Sequence, residues 1–122
     1  MLQLGSARRF RGCWYFGQMI SVETDAWSTI GVLADPLRAR IVELLAAEQL
    51  CTCHLVEETG ARQTNVSNHL RVLRQAGMVE THPAGRYTYY RLRPEALTAL
   101  TEHFTDLAER ARAAEQIRRQ CG

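Results

Sequence analysis

The segment "QLCTCHL", residues 49–55, sets two thiols one residue apart at the start of a helical pattern. Thiolates bind soft ions and exchange with other thiols, so metal or redox chemistry is what such a pair can do. Inside a regular helix, side chains two positions apart point about 200° away from each other and cannot hold one ion. The spacing becomes useful only if the backbone is unwound at Cys51 and helical from about Cys53 onward. The four cysteines, Cys13, Cys51, Cys53 and Cys121, are too few and too unevenly placed for a disulfide scaffold.

A second concentration of chemistry is electrostatic. Between Ala61 and Arg93 there are six arginines and one acid, Glu80, although the net charge of the whole chain is only +2. Polyanion binding follows the local patch rather than the total. The 122 residues, 46% hydrophobic, suit one compact domain over residues 21–122. Residues 1–20 lack periodicity, hold Gly5, Gly12 and Gly17, and read as a flexible extension; Met19 offers an alternative start. No stretch approaches the roughly 20 apolar residues of a membrane span. The run "CWYFGQMI" after Arg8, Arg9 and Arg11 is short, broken by Gln18 and followed by no cleavage site, which predicts a cytoplasmic protein.

The elements that must position these groups follow from periodicity. From Thr24 a helix places Trp27, Ile30 and either Leu33 or Ala34 on one face. Asp35-Pro36 combines a good N-cap with a good first helical residue, opening a second helix whose Leu37, Ile41, Leu44 and Leu45 form one stripe. A third, short helix runs from Thr52 or Cys53 to Thr59 and is closed by Gly60. A fourth begins at Thr64, buries Val66, Leu70 and Leu73, and stops at Gly77; the two together make a helix-turn-helix. Residues 79–92 form two short runs around Pro83-Ala84-Gly85, a hairpin in which Tyr87 and Tyr89 share one face while Thr88, Tyr90 and Leu92 share the other. A long last helix from Pro94 to about Arg118 carries the stripe Leu97, Leu100, Phe104, Leu107 and Ala111.

A helix-turn-helix followed by a basic two-stranded hairpin predicts a mainly α (α+β) winged helix. Its second helix enters the major groove of double-stranded DNA. Gln63, Asn65 and Asn68 suit adenine, Arg71 and Arg74 suit guanine, and Thr64 and Ser67 suit phosphates; Arg86 extends the surface from the hairpin tip. A winged helix used for protein contact is the alternative.

"TNVSNHLRVLRQAGMV" fits the [ST]-x-x-S-x-H-L-x-x-L-x-x-x-G signature of the ArsR/SmtB family, while "LADPLRARIVELL" and "GRYTYYRL" resemble its preceding segment and its wing. The resemblance covers about residues 24–100. It implies a homodimeric repressor, dimerising through its first and last helices, on an inverted-repeat operator, and it adds His69 to the DNA-facing set; next to Leu70, a partly buried structural role is the alternative for His69. "QLCTCHL" resembles that family's sensing box, ELCVC[DE]L, which implies an effector such as As(III), Sb(III), Cd(II) or Pb(II) at Cys51 and Cys53. A helix N-terminus lowers a thiol pKa, favouring the thiolate such ions need. The arsenite box usually has a third cysteine where this chain has Val56. Cys13, on an N-terminal extension like that of the cadmium/lead branch, is the first candidate for the missing ligand, and Cys121 the second. His54 ranks behind both, because on a helix it points about 100° away from Cys53. A disulfide from Cys13 or Cys121 to Cys51 or Cys53 is the redox alternative.

The family's other metal site, on the last helix, lacks its pattern here: residues 95–119 hold one histidine, His103. No nucleophile–base pairing, phosphate-cradling glycine loop or zinc-hydrolase signature points to an enzyme, and DNA binding itself calls for no cofactor.

Overall fold

The computed structural model describes residues 26–121. The chain divides into residues 1–30 and 31–122. The boundary expected at residues 20/21 lies outside the described residues. Among the described residues eight elements follow in order: α1 (Ala26–Leu33), α2 (Pro36–Ala47), β1 (Leu50–Cys51), α3 (Thr52–Thr59), α4 (Gln63–Gln75), β2 (Val79–Ala84), β3 (Tyr87–Leu92) and α5 (Pro94–Ala113). The fold is helix-rich, with one small antiparallel sheet. Among the described residues, no helix is long and apolar enough to cross a membrane.

Local chemistry sets the helix ends. Asp35 stays extended, and its Oδ1 accepts from the N–H groups of Leu37 (2.9 Å) and Arg38 (3.1 Å), satisfying two donors that the first turn of α2 leaves over. Gly60 closes α3 in the left-handed region at φ 73°, where a side chain is strained. At the end of α4, Gly77 (φ 77°) donates to the Arg74 carbonyl and Met78 to the Leu73 carbonyl, the paired bonds of a Schellman stop. Leu73 and Met78 are both fully buried, which supplies the apolar contact that goes with this turn.

The sheet has the order β1–β3–β2. Val79 pairs with Leu92 and the register runs to Ala84 opposite Tyr87, leaving Gly85-Arg86 as a two-residue loop. A positive φ at Gly85, 64°, suits the tight hairpin turns whose twist matches the strands. The turn therefore lies one to two residues later than the Pro83-Ala84-Gly85 expected from composition. Pro83 stands within β2, which is an edge strand, where its missing N–H is tolerated. The two-residue β1 adds a third strand, Leu50 opposite Tyr90 and Cys51 opposite Tyr89.

Ile41 of α2, Leu55 of α3 and Val66, Leu70 and Leu73 of α4 join Met78, Val79 and Leu92 in one core. Ala96 and Leu97 of α5 pack against it, but α5 has no fully buried residue. Leu55 is the single buried residue of α3 and wedges that helix between α2 and α4. Leu55→Ala is expected to destabilise the domain by about 2–5 kcal/mol, through lost burial and the cavity left behind. Urea unfolding followed by circular dichroism measures it.

Candidate functional site

Two surfaces carry chemistry. The first is the outer face of α4. Burying Val66, Leu70 and Leu73 at i, i+4 and i+7 turns Gln63, Thr64, Asn65, Ser67, Asn68, Arg71 and Arg74 outward, and all seven are exposed. Arg62 opens the helix without a side-chain cap, so the first-turn N–H groups point toward whatever lies beyond it. Arg86 is exposed at the hairpin tip. The arginines of this stretch divide into two groups: Arg91 pairs with Glu80, and Arg93 pairs with Glu95 at 3.0 Å while also donating to the Gly77 carbonyl at 3.3 Å.

His69 is placed apart from this face. It is half-buried, its Nδ1 accepts from Arg38 Nη1 at 3.1 Å, and its Nε2 lies 4.0 Å from Asp35 Oδ1. A guanidinium only donates, so Nδ1 carries the lone pair and the imidazole is the Nε2–H tautomer. Arg38 Nε also donates to the Val32 carbonyl at 2.7 Å. His69 thus ties α4 back to the opening of α2.

The second surface is built around Cys51. Its backbone is extended (φ −89°, ψ 171°); it ends β1 opposite Tyr89 and at the same time occupies the N-cap of α3. Cys53 lies one residue into the first turn and is exposed, whereas Cys51 is only 4% exposed. The unwinding at Cys51 removes the 200° separation of a continuous helix. The Cys51 N–H donates to His54 Nδ1 at 3.3 Å, and Cys51 Sγ lies 3.3 Å from the same nitrogen. Donor atoms of Cys51, Cys53 and His54 all lie within 4.8 Å of one another, the one such group of three among the described residues.

The offset of about 100° between His54 and Cys53 on a helix does not keep His54 from the thiols. The relevant partner is Cys51, which is off the helix, and the third residue of a helix reaches back to its N-cap as in a capping box. The His54 ring lies 6.1 Å from that of Tyr89, tilted by 49°. A cleft of about 250 Å³ is lined by Cys51, Cys53, His54, Tyr87 and Tyr89. The alternation of Tyr87 and Tyr89 in β3 was the signal for these walls, but it needed β1 to say which face they cover. A neighbouring cleft of about 230 Å³ joins Cys51 and Cys53 to Gln63 of α4 and to Arg86 and Tyr87 of the wing. Cys121 is exposed beyond the end of α5, among Gln116, Arg118, Arg119 and Gln120, and is not part of the group. Cys13 lies outside the described residues.

The two thiols divide one proton unequally. Burial pushes the Cys51 thiol up, but hydrogen bonds from the Cys53 side chain and from the backbone N–H groups of His54, Cys53 and Cys51 together bring it below the ordinary value. Cys53 is raised, first by donating its S–H to Cys51, then by burial and by the neighbouring negative sulfur. The pair thus favours a Cys51 thiolate held by a Cys53 thiol. Two thiols and an unprotonated imidazole nitrogen are the donor chemistry a thiophilic ion requires, so the residues present fit one. Cys53→Ala is expected to move the lower of the two thiol titrations upward, toward that of an ordinary buried cysteine. Thiolate absorbance against pH reads the shift, and an unmoved Cys51 titration would contradict the shared proton.

A family profile described as bacterial regulatory protein, arsR family, matches residues 35–81, from the cap of α2 into the hairpin. The arsenic resistance transcriptional regulator ArsR1 of Pseudomonas putida is 44% identical over 64 residues, 52% of this chain and 50% of that protein. The arsenical resistance operon repressor of Staphylococcus xylosus is 33% identical over 72 residues, 59% of this chain and 69% of that one. The chain spans about half the length of the first of these relatives. Among solved structures, a possible transcriptional regulator for arsenical resistance aligns with TM-score 0.58 and 38% identity, covering 63% of this chain and 80% of that one. An ArsR-like regulator from Rhodococcus sp. RHA1 aligns with TM-score 0.64 at 23% identity over 79% and 94% of the two chains, a likeness of fold. Profile, relatives and winged-helix architecture agree: the chain belongs to the arsR family of bacterial regulatory proteins.

Proposed function

We propose that this protein is a cytoplasmic transcriptional repressor of arsenical-resistance type, a regulator rather than an enzyme. It holds operator DNA through α4 and the wing, and releases it when Cys51 and Cys53 capture a thiophilic ion such as As(III), Sb(III), Cd(II) or Pb(II). The observation that carries this reading is the cleft in which both cysteines meet Gln63 and Arg86. Chemistry at the sulfurs borders the first residue of the reading helix and the tip of the wing.

On DNA, α4 lies in the major groove. Gln63, Asn65 and Asn68 address adenine edges, Arg71 and Arg74 guanine or phosphate, Thr64 and Ser67 phosphate oxygens, and Arg86 the adjacent backbone or minor groove. His69 serves this surface from behind, by fixing α4 on α2. Homodimerisation through α1 and α5 places two reading helices one DNA turn apart on an inverted repeat. The open side of α5, where Leu100 and Leu107 are half-buried and Phe104 is 47% exposed, supplies apolar area for it. Because several phosphates are contacted per operator, affinity falls steeply with salt.

A bound ion supplies a strong, short-range attraction for sulfur. Drawing Cys51 and Cys53 together turns the first residues of α3 and strains the Cys51–Tyr89 pairing, so the reading helix and the wing lose their common alignment. A 100-fold preference of the effector for the non-binding conformer shifts the equilibrium by about 2.7 kcal/mol.

A gel shift on the DNA upstream of the protein's own gene tests release. Cd(II) or arsenite, whichever dissociates the wild-type complex, is expected to leave that of Cys51→Ser or Cys53→Ser intact. Either variant letting go at the wild-type effector concentration refutes the sensing role. On the DNA face, alanine at Asn65, Asn68 or Arg71 is expected to weaken operator binding by about 1–3 kcal/mol each. Unchanged affinity in all three would remove α4 from the groove.

A further inference from the structure

Two sulfurs leave an ion with an incomplete set of ligands, and Cys13 and Cys121 have so far stood as candidates for the third. The geometry points instead to His54: Cys51, Cys53 and His54 form a two-sulfur, one-nitrogen site for a divalent thiophilic cation, supplied entirely by four consecutive residues of one protomer. This rests on the effector reading above and goes beyond it, naming the nitrogen ligand and the class of ion.

Three observations carry it. First, His54 Nδ1 accepts from the Cys51 N–H at 3.3 Å. A backbone N–H only donates, so this nitrogen already presents the lone pair a metal needs. Second, the spacing is close to what coordination requires. The three donor atoms lie within 4.8 Å of one another, and Nδ1 is 3.3 Å from Cys51 Sγ. Tetrahedral bonds of about 2.3 Å to sulfur and about 2.0–2.1 Å to nitrogen set donors roughly 3.6–3.8 Å apart. Closing the site therefore takes movements of about an ångström, within reach of an exposed Cys53 at the mouth of a helix. Third, the His54 ring is held in place by Tyr89, the residue that pairs with Cys51 across the sheet.

The choice of ion follows from the donors. A mixed thiolate–imidazole set suits zinc-like divalent cations, with Cd(II) as a softer member of that class, whereas three thiolates suit As(III) and Sb(III). Ligation also has a local consequence. A nitrogen bonded to a cation can no longer accept from the Cys51 N–H, so the hydrogen bond that caps α3 is given up at the residue where β1 meets β3.

Cd(II), titrated into the reduced full-length protein and followed by X-ray absorption at the cadmium edge, tests the assignment. The wild type is expected to bind one ion per protomer with two sulfurs and one imidazole nitrogen. His54→Gln should lose the nitrogen and bind more weakly by more than the roughly 10–100-fold that a merely supporting hydrogen bond is worth to a metal site. His54→Cys should restore tight binding with three sulfurs, separating ligand loss from misfolding. Cys13→Ser and Cys121→Ser should leave affinity and spectrum unaltered. The proposal is overturned if His54→Gln keeps the wild-type affinity and spectrum, or if a third sulfur is present in the wild type and vanishes with Cys13→Ser. An operator complex that ignores Cd(II) and arsenite alike, beside an intact two-sulfur, one-nitrogen spectrum, sinks the release reading and upholds this one.

Discussion

The extended backbone at Cys51 is the constraint on which the rest depends. One residue closes a strand, caps a helix and buries a sulfur. Strand pairing fixes its position relative to Tyr89, while the helix that starts beyond it fixes Cys53 and His54. Neither element alone would bring the two thiols and the His54 nitrogen together. A strand would set both thiols on one face but roughly 6.6 Å apart, with His54 on the other, and a helix would splay them. The junction does what regular structure cannot.

Packing makes this junction consequential. Leu55 shares a fully buried core with Ile41, Val66, Leu70 and Leu73, so α3 cannot move without meeting α2 and α4. Interiors packed to this density respond to a local shift by rearranging, because there is no slack to absorb it. Only Gly60, Ala61 and Arg62 separate α3 from α4, and the Schellman stop at Gly77 leads directly into β2. The thiol cluster, α4 and the β2–β3 hairpin are therefore consecutive parts of one packed unit, with the sheet returning β3 to Cys51.

Much of this was legible in the residues. Asp35-Pro36, Gly60 and Gly77 mark helix ends through chemistry that acts over two or three positions, and the stripe Val66, Leu70, Leu73 identifies the buried side of α4 and hence its outer face. The features that escaped depend on partners distant in sequence. β1 is two residues long and has no periodicity of its own; it exists because β3 offers it a ladder. The direction of His54 is not legible from Cys53, because the residue it meets is the unwound Cys51. The half-burial of His69 follows from its apolar neighbour Leu70, but the guanidinium 31 positions earlier that holds it does not. The hairpin turn slipped past Pro83 because an edge strand accepts a proline that a central strand would refuse.

Pro83 has a bearing beyond the turn it displaced. A protruding hairpin with an open flank is a natural template for another chain's strand, and a protein whose wing reaches outward carries that hazard permanently. The imide nitrogen withholds one donor from the outer rim of β2, while Glu80, charged and paired with Arg91, and His82 add polar bulk along the same strand. The hairpin can thus keep an exposed flank without recruiting its own kind edge to edge into fibrils.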